Sequence, residues 1–370
     1  MKKTFMWMCV AILTLCGTMT SCSDDDNNGG GTSKKGTLKC VAPAFLKEGD
    51  KVALISPSYY TSMENVTKTA DVLRGWGLEP VIGPNVGNVY AGKYAGTVET
   101  RASDLRWALS NPDIKAIICN RGGYGAIQLI DVMKAQDFSS NPKWLVGFSD
   151  ITTLHEMENS AGVMSIHGTM SSFLAAGGTD KSSTLMRDLL MGTVPRYELP
   201  AHPQNVKGRA SGVLVGGNMM TFAPVVGSKV DVTAYSDIIL FVEEVGESMH
   251  NIDRQFNMLK MLGVFDRCRG IVLGEFTDCG KDLDYTSVEA MLYQYLAPYN
   301  IPVLCGFPAG HGDVNLPLVM GAPVTLDVRD DGGTLQFDID GIQREIYTEY
   351  IQPQTSNSAA VRMQLAGKIE

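Results

Sequence analysis

The feature that most narrows the fold of this chain is an alternation that starts at Lys51. Lys51 to Ser56 reads as a strand, Met63 to Arg74 as a helix, Glu79 to Ile82 as a strand and Val98 to Leu109 as an amphipathic helix. The apolar run Ile114 to Cys119, a helix after Gly125 and the apolar run Lys143 to Phe148 continue the rhythm. This order predicts a parallel sheet with helices on both faces, and ligands of such sheets bind beyond the carboxyl ends of the strands.

Two strand ends carry chemistry. In Val146-Gly147-Phe148-Ser149-Asp150-Ile151-Thr152 an apolar run gives way to a helix-starting run, with a serine at the junction. A hydroxyl there is either the helix N-cap or a nucleophile raised above the sheet edge, close to free backbone N–H groups that suit a developing oxyanion. The pattern departs from Gly-x-Ser-x-Gly, because Ile151 stands where the second glycine would be. The other end is Asn120 followed by Arg121-Gly122-Gly123-Tyr124-Gly125. Its glycines let the backbone approach a ligand and aim N–H groups at an anion, although the spacing is not that of a dinucleotide loop. Arg121 with Gly122 is a candidate for holding a substrate carboxylate, since a guanidinium can grip one through two parallel hydrogen bonds; a surface arginine is the alternative.

After a helix near Leu185 to Met191, the Pro-, His- and polar-rich stretch 196–209 reads as a linker to a second domain. Beyond it come more strands and fewer helices, so a smaller, mixed-sheet domain packed on the first is expected. Glu243 and Glu244 directly follow the apolar run Ile238 to Val242, so at least one carboxylate ends a buried strand and needs a partner. His311 lies between two glycines in a loop rich in glycine and proline, a poor place for a core side chain; His167, in Ile166-His167-Gly168, is the competing base. Serine at an elbow, acid after a strand and histidine on a loop are the parts of a charge-oriented nucleophile, in the chain order of α/β-hydrolases. Here acid and base fall in the second half, so the site would form where two domains meet.

The N-terminus is read separately. Lys2-Lys3 and the apolar stretch Phe5 to Leu15 have the form of an export signal over residues 1–21, and Met19-Thr20-Ser21-Cys22 resembles a lipoprotein cleavage site, with Cys22 as the acylated residue. An acidic, glycine-rich run then begins a flexible tether over residues 22–44. An exported lipoprotein of a Gram-negative-type envelope, attached to the outer membrane through this anchor, is the expectation. The formal net charge of −9, with no Lys/Arg cluster, argues against nucleic acid as a partner. Cys40, Cys119, Cys268, Cys279 and Cys305 match no zinc spacing, so no metal, no cofactor and no disulfide framework is expected, with Cys268 to Cys279 the one pair worth checking.

Arg121-Gly122-Gly123-Tyr124-Gly125, Gly147-Phe148-Ser149-Asp150-Ile151-Thr152, Gly216-Gly217-Asn218, Glu243-Glu244-Val245-Gly246-Glu247 with Ile252-Asp253-Arg254, and Gly310-His311-Gly312 together resemble the LD-carboxypeptidases. These are serine peptidases that trim the tetrapeptide of murein, with microcin-resistance peptidases as relatives. The resemblance spans roughly residues 45 to 350. It implies a catalytic triad of Ser149, His311 and Glu243, an oxyanion hole from the backbone N–H groups of Gly123 and Asp150, a murein-derived peptide as substrate and a homodimer. Where the family commonly has Glu-Asp, this chain has Glu243-Glu244, which leaves open which carboxylate faces the histidine. The implied architecture is an N-terminal parallel-sheet domain, flavodoxin-like or glutamine-amidotransferase-like, over 45–195, and a C-terminal domain over 210–355 ahead of a tail at 356–370. A peptidase for other peptidyl amides and a non-catalytic, two-lobed binding lipoprotein are the competing expectations.

Overall fold

A computed structural model of the chain describes residues 35–339 and the strand Gln343–Ile346. The expected export signal, Cys22, the acidic run of the tether and the tail at 356–370 lie outside the described residues. The end of the expected tether is docked on the body. Lys35–Thr37 pairs in parallel with Tyr235–Ser236, Leu38 is buried, and the Val41 backbone exchanges hydrogen bonds with Gly162 and Met164.

The first sheet has six strands in the order Leu318–Met320, Ser165–His167, Trp144–Gly147, Ile114–Cys119, Lys51–Ile55 and Glu79–Ile82. All its neighbours run parallel except Leu318–Met320, which returns from the far end of the chain to pair antiparallel with Ser165–His167. Its central strands are apolar at nearly every position because both faces are covered, as expected: helix Met63–Gly75 and the second sheet pack on the face of Val52 and Leu54, and helices Val98–Ser110 and Thr152–Ser160 on the face of Ala53 and Ile55. The helices Met63–Gly75 and Val98–Ser110 start where Ser62 and Thr97 accept N–H bonds from Asn65 and Thr100, so the loops after the strands end in caps. The helix expected after Gly125 is only the 3-10 turn Ala126–Leu129.

The second sheet has eight strands, in the order Val303–Leu304, Cys268–Thr277, Ile238–Val245, Gly208–Asn218, Pro323–Arg329, Gly332–Phe337, Thr193–Pro200 and Gln343–Ile346. It is mixed as expected, but with eight strands against six it is not the smaller sheet. The first four strands run parallel, and Pro323–Arg329 begins an antiparallel section. The stretch read as a linker, 196–209, is largely structural: its first residues belong to the strand Thr193–Pro200, and Gly208 opens the strand that runs to Asn218. One cluster of buried side chains spans both sheets, from Val146 and Ile166 to Leu214, Ile239 and Phe241, so the two halves share a core. The five cysteines Cys40, Cys119, Cys268, Cys279 and Cys305 are free thiols, and Cys268 is not joined to Cys279.

Candidate active site

The strand Trp144–Gly147 ends at a sharp turn. Phe148 is extended at φ −151° and Ser149 swings to φ 63°, a left-handed conformation that a non-glycine residue adopts only where surrounding structure imposes it. Helix Thr152–Ser160 follows within one 3-10 turn. Ser149 is thus not a relaxed N-cap: no side-chain cap bond opens either the turn or the helix. The glycine loop lies against it, so close that a Cβ on Gly122 would sit 2.9 Å from Ser149 Cβ and 3.1 Å from its Oγ.

Asp150 fixes that loop. Its buried Oδ2 accepts from Ser58 Oγ at 2.5 Å and from the Ala126 N–H at 2.8 Å, which ties the glycine loop and the Lys51–Ile55 strand end to the elbow. Burial raises the Asp150 pKa, opposed by these two hydrogen bonds and by Arg101. Arg101 is itself buried and donates to the carbonyls of Pro57, Gly96 and Gly125. Neither Ser58 nor Arg101 is legible in the sequence as part of the site, because Ser58 reaches the Asp150 carboxylate across 92 residues and Arg101 reaches the carbonyls of Pro57 and Gly125 across 44 and 24. Arg121 is solvent-exposed, whereas Gly122 is buried.

The second half supplies the acid and the histidine. Successive side chains of a strand point to opposite faces, and Ile238–Val245 divides its two glutamates accordingly. Glu243, fully buried, meets His311, whose Nδ1–H donates to Glu243 Oε2 at 2.8 Å. A carboxylate only accepts, so this bond puts the proton of neutral His311 on Nδ1 and leaves Nε2 with its lone pair. Glu244 points the other way and accepts from Asn218 Nδ2, Met220 N and Val245 N. The carboxylate bonded to His311 is therefore that of Glu243.

Both glycines beside His311 have a steric reason. A Cβ on Gly310, at φ 137°, would stand 2.8 Å from Glu243 Oε2, and one on Gly312 would overlap the Glu275 carboxylate. The His311 ring packs on Phe148, the residue before Ser149, with centroids 4.9 Å apart, which brings it to the elbow. Burial disfavours its charged form, yet Glu243, with Glu244 and Glu275 behind it, holds the His311 pKa above the ordinary histidine value. His167 is a buried core histidine instead of a base: its Nε2 is bonded to Asn315 Oδ1 at 3.0 Å, and burial pushes its pKa down to about 3. A cleft of about 280 Å3 opens beside Ser149, lined among others by Tyr124, Ile127, Thr153, Asn218 and Glu244.

A serine elbow at the end of a parallel strand, with an acid-bound histidine packed beside it, is an arrangement that serine hydrolases on an α/β scaffold share. Residues 52–168 match the LD-carboxypeptidase N-terminal domain and residues 211–326 the LD-carboxypeptidase C-terminal domain. The chain belongs to the LD-carboxypeptidase family of serine peptidases. It is 32% identical over 291 residues to the murein tetrapeptide carboxypeptidase of Pseudomonas aeruginosa, covering 75% of this chain and 93% of that protein. With the microcin C7 self-immunity protein MccF of Escherichia coli it shares 26% identity over 322 residues, 76% of this chain and 92% of that one. The crystal structure of muramoyltetrapeptide carboxypeptidase from Oxalobacter formigenes superposes with a TM-score of 0.70 at 26% identity, over 78% of this chain and 98% of that chain.

Proposed function

We propose that the protein is a serine LD-carboxypeptidase that removes the terminal D-alanine from murein tetrapeptides, with Ser149, His311 and Glu243 as its triad. The observation that carries this reading is the Glu243–His311 hydrogen bond held against Phe148 at the Ser149 elbow. Ser149 Oγ attacks the carbonyl carbon while His311 Nε2 takes its proton, and the backbone N–H groups of Gly123 and Asp150 receive the oxyanion. Collapse of the tetrahedral intermediate breaks the C–N bond, and the imidazolium returns its proton to the departing D-alanine amine. Water, deprotonated by the same imidazole, then hydrolyses the acyl-enzyme. Glu243 orients His311 and stabilises its charged form throughout.

Arg121, exposed beside the glycine loop, is proposed to meet the terminal carboxylate of the substrate. Amidating that carboxylate should lower turnover roughly 100-fold through loss of a charge-assisted bond of about 3 kcal/mol. Equal cleavage of the amidated peptide, or equal release of D-alanine from a D,D-linked pentapeptide, would contradict an LD-carboxypeptidase. The likeness to MccF supports a second reading, in which other peptidyl amides are cleaved by the same site. A two-lobed binding lipoprotein would instead bind the peptide and give no product.

We further propose that the protein acts at the outer membrane of a Gram-negative-type envelope, anchored through acylated Cys22, and works as a homodimer. Positive n-region, short apolar core and the small residues before Cys22 support the anchor. Cys22→Ser should abolish membrane fractionation, and retention of an acylated N-terminus in that variant would refute it.

A further inference from the structure

Arg101 is only 2% exposed, yet every acceptor it holds is a neutral oxygen. Nη1 donates to Pro57 O at 2.7 Å and to Gly125 O at 2.8 Å, Nε to Gly96 O at 3.3 Å, and Nη2 to Gln128 Oε1. Burial lowers its pKa, and Asp150 is the foremost charge opposing that shift. The guanidinium is thus spent on backbone carbonyls, and two of them belong to segments that frame the glycine loop.

One of these carbonyls lies in a peptide held at both ends. The Gly125 carbonyl accepts from Arg101, and the N–H across the same peptide, that of Ala126, donates to Asp150 Oδ2 at 2.8 Å. Gly125 has φ 128°, and a Cβ there would stand 3.0 Å from Arg101 Nη1, so glycine lets the guanidinium close on the loop. The facing segment is pinned by the same two side chains: Arg101 takes the Pro57 carbonyl, and Asp150 Oδ2 accepts from Ser58 Oγ at 2.5 Å. Tyr59 then donates its N–H to Gly122 O at 3.3 Å, and its ring lies so close to Gly123 that a Cβ would stand 2.3 Å from Tyr59 Cδ2. In a trans peptide the Gly123 N–H is antiparallel to the Gly122 carbonyl, so this bond aims it away from Tyr59. Gly123 and Ser149 line the same cleft.

We propose that Arg101 is a positioning residue for the oxyanion hole. Together with the Asp150 carboxylate it fixes the direction of the Gly123 N–H, and so favours the tetrahedral state without touching the substrate. A donor in such a hole acts only when it is aimed in advance, and the rigid fork of a guanidinium can hold two carbonyls where an ammonium cannot. This rests on the carboxypeptidase reading above and adds the residue that prepares its oxyanion hole.

The test uses Arg101→Lys, which keeps the charge and loses the fork. The first ligand is the product tripeptide with its C-terminal carboxyl replaced by a boronic acid, whose boron accepts Ser149 Oγ to form a tetrahedral anion. The second is the intact tetrapeptide, its dissociation constant measured by calorimetry in the Ser149→Ala background with and without Arg101→Lys. Boronate inhibition should weaken roughly 100-fold, the cost of misplacing a catalytic group by about 1 Å, while tetrapeptide binding stays unchanged. In steady state kcat should fall by the same factor at constant KM. Equal weakening of both ligands overturns the inference, because Arg101 then shapes the whole cleft; undiminished boronate inhibition overturns it as well. Should Arg101→Lys not fold, Ser58→Ala decides by the same comparison, with a roughly 10-fold loss confined to the boronate expected and an equal loss on both ligands, or none, against it. A wild-type protein that neither releases D-alanine nor binds the boronate defeats the carboxypeptidase reading, and the inference with it.

Discussion

His167 Nε2 lies 3.0 Å from Asn315 Oδ1, the same oxygen that accepts the Gly310 N–H at 3.0 Å. The second histidine of the site is thus a strut under the loop that carries the first. Asn315 is anchored again through its own N–H, which donates to Ser182 Oγ at 2.8 Å.

His167→Ala should therefore loosen the His311 loop without removing a proton acceptor. A loss in kcat/KM of roughly 10-fold is expected, most of it restored by His167→Gln, which keeps a donor for Asn315. His311→Ala should cost on the order of a million-fold, as loss of a triad base does elsewhere. Steady-state kinetics on one peptide decides it, and an equal loss in the two alanine variants would reverse the assignment of the base.

The pH profile tests the carboxylates around His311. In the proposed triad the imidazole must be neutral to accept the Ser149 proton, so kcat/KM should rise with pH through the raised His311 pKa. Glu275 contributes to that elevation. It accepts the Gly312 N–H, faces Asp313, Glu243 and His311, and burial lifts its own pKa to about 7. Glu275→Gln should shift the midpoint of the profile to lower pH, whereas an unshifted midpoint would mean that its charge is not felt at His311. The sign for stability follows too: with the folded pKa of His311 above the unfolded value, its pairing with Glu243 contributes fully below about pH 6.5 and is lost as pH rises through the folded pKa.

The strain at Ser149 predicts an order of stabilities. Ser149→Ala and Ser149→Gly both remove the proposed nucleophile, but only glycine relaxes at φ 63°. The glycine variant should be the more stable of the two by about 1 kcal/mol in urea titration. A more stable alanine variant would show that the left-handed turn is not strained in solution.

Glu158 offers a test away from catalysis. Both its carboxylate oxygens are buried without a hydrogen-bond partner, and burial raises its pKa well above the ordinary carboxylate value. A raised folded pKa means that stability is present below the unfolded value and declines as pH rises, because ionisation in the core is opposed. Glu158→Gln should change the melting temperature little at pH 5 and raise it at pH 8. A gain of the same size at both pH values would show that Glu158 does not titrate in the fold.

Legibility followed the range of the signals. Ile114–Cys119 coincides with its apolar run and Glu79–Ile82 with the strand that the alternation predicts, and the Ser149 elbow is marked by a buried strand that breaks into polar residues. The stretch 196–209 reads as linker for its prolines, histidine and polar residues, yet its first five residues belong to the strand Thr193–Pro200, which buries Val194, Pro195, Tyr197 and Leu199 while its other side chains stay partly exposed. No local pattern announces that the three residues Leu318–Met320 cross back to edge the first sheet, since that pairing is set by packing far away in sequence. The division of labour between Glu243 and Glu244 was open for a related reason: adjacent residues differ in face, and the face depends on which neighbours the strand acquires.

The most direct measurement of the central claim is D-alanine release from a purified murein tetrapeptide by the soluble form beginning at Gly36, run beside Ser149→Ala. The account predicts stoichiometric D-alanine and tripeptide from the wild type, and a rate on the order of a million-fold lower from the variant. No product from the wild type, or undiminished product from Ser149→Ala, would contradict it.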